Sequence, residues 1–221
     1  MIIAFAGRKL AGKDSAAQAL VSRHGFIRVG LADALKDMFS EVFRIKRSHL
    51  DDQSLKEVPF EEPIKITRSQ LEHLSTLVES KSIHISEAAR AEVMKFEGTV
   101  ITSIRHGLQL VGTDIIRNNV NPDIWLEIFA QNNKEGADIV VTDARFPNER
   151  AYLKAAGALI VLVERPGFVT TDTHISEQLL GTSDEYDAVV TNNSTIHALH
   201  SGVSMWYSVR SNEFKSRYRS R

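Results

Sequence analysis

The fold class is decided by the first fifteen residues, MIIAFAGRKLAGKDS (residues 1–15). An apolar run of six residues stops at Gly7, which is typical of a buried parallel strand. Small and apolar residues then recur at helical spacing from Ala16 to Val21, and Gly25 suits the C-cap of that helix. A strand, a glycine-rich loop and a helix in this order predict the start of an α/β fold.

The loop between this strand and helix has the spacing G-x-x-x-x-G-K, which is typical of a phosphate-binding loop. Gly7 and Gly12 can adopt backbone angles that L-residues avoid, so that successive N–H groups can converge on phosphate oxygens. The helix that begins near Lys13 directs its positive end to the same point, and the lysine side chain can reach the β- and γ-phosphates. The stretch therefore predicts a site for a nucleoside triphosphate.

Asp14 stands where such loops normally carry a Ser or Thr whose hydroxyl binds Mg²⁺. Ser15 can supply that hydroxyl one position later, or the Asp14 carboxylate can act on the metal directly or through water. A third interpretation makes Asp14 a first-turn acid that complements the helix dipole. The residues alone leave these three interpretations open.

The strand and helix signals return after residue 107, and they predict a parallel sheet covered by helices on both faces. Residues 44–107 differ, because they are charged, poor in glycine and carry helical patches at 67–79 and 86–97 without an obvious long strand. We therefore predict a core domain of residues 1–43 and 108–221 and a helical insertion at 44–107. The remaining core elements are predicted as strands at 26–29, 138–143, 158–164 and 188–191 and helices at 35–43, 122–133 and 147–157.

Composition narrows the classes of partner. The net charge of −1 gives no broad basic surface, so we expect no nucleic-acid partner. The chain has no cysteine, which excludes disulfides and thiolate chemistry and fits a reducing compartment. The N-terminal apolar stretch has no basic residue before it, and no apolar run approaches the ~20 residues of a membrane helix. We expect a cytoplasmic protein with no membrane partner.

Asp143 is the second candidate ligand, because it ends an apolar strand at the sheet edge where ligands gather in open α/β sheets. An acid at that position commonly steers Mg²⁺ or its water shell, and the alternative is an acid that caps the loop before Pro147. Arg145 lies two residues further on, near any phosphate that the loop holds. Asn148 and Glu149 are expected to support this turn.

Other residues are ambiguous when taken singly. Lys9, Lys36, Arg68, Arg105 and Arg117 can each be an ordinary surface charge, and only a family pattern separates them from that interpretation. The stretch 109–114, QLVGTD, and Trp125 suit a ligand, but a single helical Trp is more often part of a core. The polar stretch 171–177 suits either a mobile lid or a helix N-terminus, and the basic tail from Arg210 onwards is given no function.

Several short strings, taken together in their order along the chain, resemble those of the phage-type deoxynucleoside monophosphate kinases. These enzymes belong to the adenylate-kinase-like P-loop family. The resemblance extends from about residue 5 to residue 200, and a GKD-S/T loop is usual in that family. The strings that carry it are GRKLAGKDS, LADALKDMF, LKEVPFEEPIKIT, LQLVGTDIIRNNVNPDIW, DARFPNE, THISE and DAVVTNN.

The resemblance implies a three-layer P-loop fold with a five-stranded parallel sheet in the order 2-3-1-4-5. It also implies a lid near 166–180, a monophosphate-binding role for 44–107, a homodimer, and the host cytoplasm if the chain is phage-encoded. The implied ATP-binding residues are Gly7, Gly12, Lys13, Asp14, Ser15 and Ala16. The implied residues around the deoxynucleoside monophosphate are Lys9, Leu31, Lys36, Arg68, Arg105, Gly112, Thr113, Trp125 and Asp143.

The implied reaction moves a phosphoryl group from ATP to a deoxynucleoside monophosphate (dNMP), with Mg²⁺ held by Ser15, Asp14 and Asp143 and with Lys13, Lys9 and Arg145 as catalytic cations. The acceptor phosphate has a second pKa of about 6, so it is already mostly a dianion at neutral pH. No general base is needed, which agrees with the lack of a convincing catalytic His or Glu. Competing hypotheses are a dephospho-coenzyme A or phosphomevalonate type of kinase, a nucleotide-dependent hydrolase or switch, and a binding module without turnover.

Overall fold

A computed structural model describes residues 1–132, 136–167 and 179–219, with side chains described as far as Ser211. The chain divides into two compact units, which we describe separately. The first unit comprises residues 1–31 and 134–221, and the second comprises residues 32–133.

The first unit is built on a five-stranded parallel sheet with the order β2-β5-β1-β6-β7. The central strand β1 pairs with β5 on one side, where Ile3 aligns with Val140, and with β6 on the other, where Ala4 aligns with Ile160. The strands are β1 (Ile2–Ala6), β2 (Ile27–Val29), β5 (Ile139–Val141), β6 (Leu159–Glu164) and β7 (Ala188–Thr191).

The parallel sheet confirms the predicted α/β class, but the order carries different strand numbers from the expected 2-3-1-4-5. The difference arises because two further strands, β3 (Pro59–Lys65) and β4 (Val100–Ser103), lie outside this sheet and were not expected. When the five strands of the sheet alone are numbered along the chain, the observed order reads 2-3-1-4-5.

Among the described residues of this unit, the α-helices that accompany the sheet are α1 (Lys13–His24), α8 (Pro147–Ala155) and α9 (Ile196–Arg219). Helices α1 and α9 pack together over one face of the sheet, while α8 packs against β6. The core under α1 and α9 takes alternate residues of each strand, because successive strand side chains point to opposite faces. Its members include Ile3, Phe5, Leu20, Val140, Val161 and Val203.

The second unit is mainly helical and has its own hydrophobic core. Its helices are α2 (Asp33–Phe43), α3 (Arg47–Asp51), α4 (Arg68–Glu79), α5 (Glu87–Met94), α6 (Ile104–Gln109), a π-helix (Leu110–Arg117) and α7 (Ile124–Asn132). Most of these elements contribute a fully buried side chain to the core, among them Phe39, Leu74, Val93, Ile115 and Ile124.

The second unit also contains an antiparallel pair of strands, β3 (Pro59–Lys65) and β4 (Val100–Ser103). The expectation of a purely helical insertion is therefore wrong at this point. Pro59 and Pro63 read as breakers in the sequence, yet a two-stranded ribbon consists of edge strands, which tolerate proline. The register shifts between Pro59 and Ile64, which accommodates the irregular stretch.

The compact second unit is wider than the segment 44–107 that the sequence delimits. Helix α2 and the elements from α6 to α7 belong to it, because their buried side chains share one core with α4 and α5. The lid expected near 166–180 falls mostly on residues 168–178, which lie outside the described residues. None of the helices in the described part of the chain is long and apolar enough to cross a membrane.

Candidate active site

The loop between β1 and α1 has the backbone geometry that its glycines permit. Gly7 and Gly12 have φ angles of 146° and 107°, which L-residues rarely adopt. A Cβ atom on Gly7 would lie 2.5 Å from the carbonyl oxygen of Val163, and one on Gly12 would lie 2.5 Å from Nδ2 of Asn192. Gly7 is therefore required by close approach to a backbone carbonyl as well as by its backbone angle, and Gly12 is favoured by its backbone angle.

Lys13 begins α1 and folds back over the loop. Its Nζ donates hydrogen bonds to the carbonyl oxygens of Gly7, at 2.7 Å, and Arg8, at 2.8 Å, and the residue is only 7% exposed. The N-cap residue Gly12 has no side chain to accept from the first turn of the helix. A helix start with glycine as its N-cap residue, beside a buried ammonium group, is an arrangement that suits an anion.

The neighbouring loop residues differ in exposure. Asp14 is exposed in the first turn of α1, Ser15 and Lys9 are half-buried, and Ala16 is buried. The N–H of Ala16 donates to the carbonyl of Gly12 at 2.8 Å, which is the first hydrogen bond of the helix. The exposed position of Asp14 is compatible with each of the three interpretations that the sequence leaves open.

Two side chains that the sequence analysis did not assign hold this loop from outside. Asn192 follows β7 and donates from Nδ2 to the carbonyl of Ala11 at 2.9 Å, while Nη1 of Arg165 donates to the carbonyl of Leu10 at 3.4 Å. Both residues follow strands that end at the same sheet edge as β1, because all strands of the sheet are parallel. That shared edge was the available signal for Asn192.

Asp143 lies two residues after β5, at the carboxyl end of the sheet. Its Oδ1 accepts the backbone N–H of Leu31 at 2.7 Å, so the structure brings these two predicted site residues together. Leu31 is 3% exposed and Asp143 is half-buried. The hydrogen bond fixes the carboxylate at the edge where the loop and the positive end of α1 also lie.

Arg145 follows in the turn before α8, and Glu149 holds that turn as the sequence predicts. Oε2 of Glu149 accepts the backbone N–H groups of Arg145, at 2.8 Å, and Phe146, at 2.9 Å. Glu149 is 4% exposed, and buried carboxylates are stable only when hydrogen-bonded in this way. The turn that carries Arg145 is therefore well defined.

In the second unit, Lys36 is buried on α2 and joined to two carboxylates. Its Nζ lies 2.9 Å from Oδ1 of Asp51 and 3.4 Å from Oδ1 of Asp33, and the residue is 8% exposed. Arg47 contacts both of these carboxylates and also Asp37, at 2.7 Å. Burial works to lower the pKa of Arg47, but the hydrogen bond to Asp37 and the negative charges around it leave that pKa raised.

Arg68 and Arg105 pair with carboxylates other than those that contact Lys36. The Arg68 side chain is 62% exposed and its Nε lies 3.2 Å from Oε1 of Glu72, one turn along α4. The Arg105 side chain is 15% exposed and its Nε lies 2.9 Å from Oε1 of Glu57. The three predicted cations of this unit are thus held by three different sets of carboxylates.

The predicted patch around Gly112, Thr113 and Trp125 forms part of the core of the second unit. Trp125 is 6% exposed, and its Nε1 donates to the carbonyl of Gly112 in the π-helix at 3.1 Å. A Cβ on Gly112 would lie 2.4 Å from Cδ2 of Leu35. Trp125 therefore packs as a core residue, and its contact with a ligand stays a prediction, as does that of the half-buried Thr113.

The first unit is an α/β structure whose loop and helix N-terminus suit an anion. Comparison of the whole chain with known proteins identifies the protein family to which the chain belongs. The family model for deoxynucleotide monophosphate kinase matches residues 64–203, more than half of the 221-residue chain. The chain therefore belongs to the deoxynucleotide monophosphate kinase family. This confirms the resemblance drawn from the sequence and the prediction that the protein is a kinase.

Curated relatives agree. The chain is 27% identical over 233 residues to the deoxynucleotide monophosphate kinase of Enterobacteria phage T4, covering 91% of this chain and 96% of that protein. It is 28% identical over 217 residues to a mimivirus protein provisionally named for the same activity, covering 92% and 94%. It is 35% identical over 122 residues to the Escherichia phage RB69 deoxynucleotide monophosphate kinase, covering 53% and 49%.

Proposed function

We propose that this protein transfers the γ-phosphoryl group of ATP to the 5′-phosphate of a deoxynucleoside monophosphate, giving a deoxynucleoside diphosphate and ADP. The observation that carries the proposal is the buried Lys13 ammonium at a helix start whose N-cap residue is glycine, inside a loop in which a side chain on Gly7 would meet the backbone of Val163. Membership of the deoxynucleotide monophosphate kinase family supports the choice of acceptor.

We assign the loop between β1 and α1 as the phosphate-binding loop for ATP. Backbone N–H groups at the start of α1 would bind the phosphate oxygens, and the Lys13 ammonium would exchange its carbonyl partners for the β- and γ-phosphates. The residues assigned to ATP are Gly7, Gly12, Lys13, Asp14, Ser15 and Ala16.

The donor set at this edge of the sheet fits Mg²⁺. No group of three or more metal-ligating side chains occurs within residues 1–132, 136–167 and 179–211. Mg²⁺ in phosphoryl-transfer enzymes is commonly held by one or two carboxylates together with substrate phosphates and water. Ser15, Asp14 and Asp143 are the residues assigned to it, and when bound the ion neutralises phosphate charge.

The residues assigned to the deoxynucleoside monophosphate follow from the family that the sequence resembles. Segment 44–107 is assigned to monophosphate binding. The single residues assigned to this ligand are Lys9, Leu31, Lys36, Arg68, Arg105, Gly112, Thr113, Trp125 and Asp143.

The chemistry requires cations rather than a base. The acceptor phosphate is mostly a dianion at neutral pH and can attack without losing a proton to the protein. Two phosphates repel each other, so catalysis consists of positioning and charge stabilisation. Lys13, Lys9 and Arg145 are the chain's own cations assigned to that role, and Asp143 is held in place by the Leu31 N–H.

Two other features belong to the proposal. We assign a homodimer, as in the family that the sequence resembles, and a lid in residues 166–180. Other small-metabolite kinases and an ATP hydrolase or switch are the alternatives, and each predicts a different pattern of ADP release.

The test is a coupled ADP-release assay with ATP, Mg²⁺ and each of dAMP, dGMP, dCMP, dTMP and hydroxymethylated dCMP, with ribonucleotides as controls. Turnover that depends on a deoxynucleotide is the expected result. Steady ADP release without any monophosphate would instead support a hydrolase or switch. Turnover with dephospho-coenzyme A or phosphomevalonate, but with no nucleotide, would support the other kinase classes.

A further inference from the structure

We propose that Arg150 is a positioning residue that, together with Glu149, fixes the backbone of Arg145 and thereby the direction of its side chain. The inference rests on the proposed function, in which Arg145 stabilises the phosphates during transfer. It gives Arg150 a structural role through Arg145 rather than a direct contact with the phosphates.

Both backbone polar groups of Arg145 are held by side chains from the first turn of α8. The N–H of Arg145 donates to Oε2 of Glu149 at 2.8 Å. The carbonyl oxygen of Arg145 accepts from Nη1 of Arg150 at 2.8 Å. Glu149 and Arg150, which carry opposite charges, thus hydrogen-bond to the N–H and to the carbonyl oxygen of Arg145. We call these three residues the Arg145 clamp.

Arg150 is anchored on its other side by the segment that precedes β7. Its Nη2 donates to the carbonyl of Leu179 at 3.0 Å, and its guanidinium lies 5.6 Å from the centre of the Tyr186 ring. The Tyr186 hydroxyl donates to the carbonyl of Leu180, and burial raises the pKa of that phenol, so it stays protonated as a donor. Arg150 therefore joins the Arg145 turn to this segment.

The burial of Arg150 supports a fixed role. The residue is 8% exposed, and two of its donors are satisfied by backbone carbonyls that do not depend on a bound ligand. Its nearest described carboxylate oxygen, on Glu185, is 3.8 Å away and belongs to a half-exposed side chain. A buried cation with these partners is costly to redirect towards a substrate, because its carbonyl partners would be left unsatisfied.

The clamp matters for catalysis because positioning dominates phosphoryl transfer. A displacement of about 1 Å in a catalytic group can cost on the order of 100-fold in rate. An Arg145 side chain attached to a loosened peptide would still be present but would sample more directions. The expected effect is a lower kcat for the reaction with little change in the KM for ATP.

The experiment compares Arg150→Lys and Arg150→Met, each alone and combined with Arg145→Ala. Lysine keeps the charge but loses the planar fork that reaches two carbonyls, and methionine loses both. Arg23→Lys and Arg23→Met are the controls, since Arg23 is exposed in the last turn of α1, where its Nη1 donates to Oγ of Ser204 at 3.5 Å. Melting temperatures are recorded for all variants.

We expect Arg150→Lys to lower kcat about 10-fold and the Arg23 variants to leave it unchanged. In the Arg145→Ala background, Arg150→Lys should lower kcat by less than about twofold, because its effect passes through Arg145. The same loss of kcat in both backgrounds would overturn the proposal. If Arg150→Met does not fold, the lysine series still decides the question.

A second readout separates failure of the clamp from failure of the proposed function. Hydrogen exchange at the Arg145 and Phe146 amides should accelerate in Arg150→Lys, whatever the substrate is, because both amides donate to Glu149 across the same turn. Unchanged exchange would overturn the clamp. Accelerated exchange in a protein that phosphorylates no deoxynucleotide would keep the clamp and reject its stated role in kinase chemistry.

Discussion

Replacing Gly7 by alanine tests whether the loop geometry is essential, and Gly25→Ala provides a matched control. Both glycines have positive φ angles, 146° at Gly7 and 73° at Gly25. They differ in space, since a Cβ on Gly25 meets nothing within 4 Å whereas one on Gly7 would lie 2.5 Å from the carbonyl oxygen of Val163. Subtracting the loss of stability in Gly25→Ala from that in Gly7→Ala removes much of the cost of the backbone angle. The remainder is mainly the cost of the steric clash.

The expected magnitudes follow from that difference. The left-handed conformation costs an L-residue about 1–2 kcal/mol, which is the whole effect expected for Gly25→Ala. Val163 lies in β6 paired with Val190 of β7, so its carbonyl cannot move without disturbing the sheet. Overpacking of this kind adds about 1–3 kcal/mol, which gives about 2–5 kcal/mol for Gly7→Ala.

The assay measures melting temperature and dNMP-dependent ADP release on the two variants side by side. At about 2–4 °C per kcal/mol for a chain of this size, Gly7→Ala should melt several degrees below Gly25→Ala. It should also lose turnover well beyond any loss in Gly25→Ala, because relief of the clash shifts the loop that would hold ATP. Equal melting temperatures together with equal turnover would refute the reasoning.

Three further predictions concern single side chains. Lys13→Ala should lower turnover by orders of magnitude while the circular dichroism spectrum stays that of the folded protein, and near-normal turnover would remove Lys13 from the mechanism. Trp125→Phe should lower the free energy of unfolding by about 1–3 kcal/mol in denaturant titrations, because the carbonyl of Gly112 loses its buried donor; an unchanged midpoint would contradict this. Burial, and secondarily the charge of Arg23, lowers the pKa of His24, so the unfolded chain binds more protons as the pH falls below about 6.5 and stability decreases there. In thermal melts at about pH 7.5 and about pH 5, His24→Phe should reduce the difference in melting temperature, and an identical difference would exclude His24 as its source.

The sequence predicted the elements whose signals are local. The apolar runs that stop at a glycine or an acid became β1 and β5, and the last strand at 188–191 is confirmed as β7. Gly25 caps α1 with a φ of 73°, and Pro147 is the first residue of α8. Strand ends, caps and first-turn prolines follow from backbone chemistry within a few residues, which is why a single sequence specifies them.

The elements that were missed depend on contacts distant in the chain. Strand β3 carries exposed glutamates and two prolines, and it becomes a strand only through pairing with β4, more than thirty residues later. The π-helix at Leu110–Arg117 likewise has no local signal in the sequence, and one of its carbonyls is bound by Trp125 from α7. A sequence pattern records local preference, whereas these features are determined by tertiary partners.

The candidate site shows the same division. Gly7, Gly12 and Lys13 could be predicted because their motif is short and their chemistry is specific. The sheet edge places Asn192 near the loop, but the sequence specifies neither its partner nor those of Arg150. Each acts through a carbonyl of another segment: Ala11 for Asn192, and Arg145 and Leu179 for Arg150. Hydrogen bonds to backbone carbonyls leave no signature in the identity of the residue that accepts them, so only the structure reveals them.

The three assigned cations of the second unit, Lys36, Arg68 and Arg105, differ in the free energy that it would cost to exchange their carboxylate partners for a phosphate. Arg68 and Glu72 are more than half exposed, and a surface pair of this i,i+4 type is worth about 0.3–0.5 kcal/mol, so exchanging the carboxylate for a phosphate costs little. The side chains of Arg105 and Lys36 are 15% and 10% exposed, and Lys36 holds two carboxylates. Their rearrangement would break ion pairs of largely buried cations, which costs more than breaking an exposed pair. We infer that Lys36 and Arg105 would keep these carboxylates while contacting a phosphate, whereas Arg68 is the cation that can turn freely towards one.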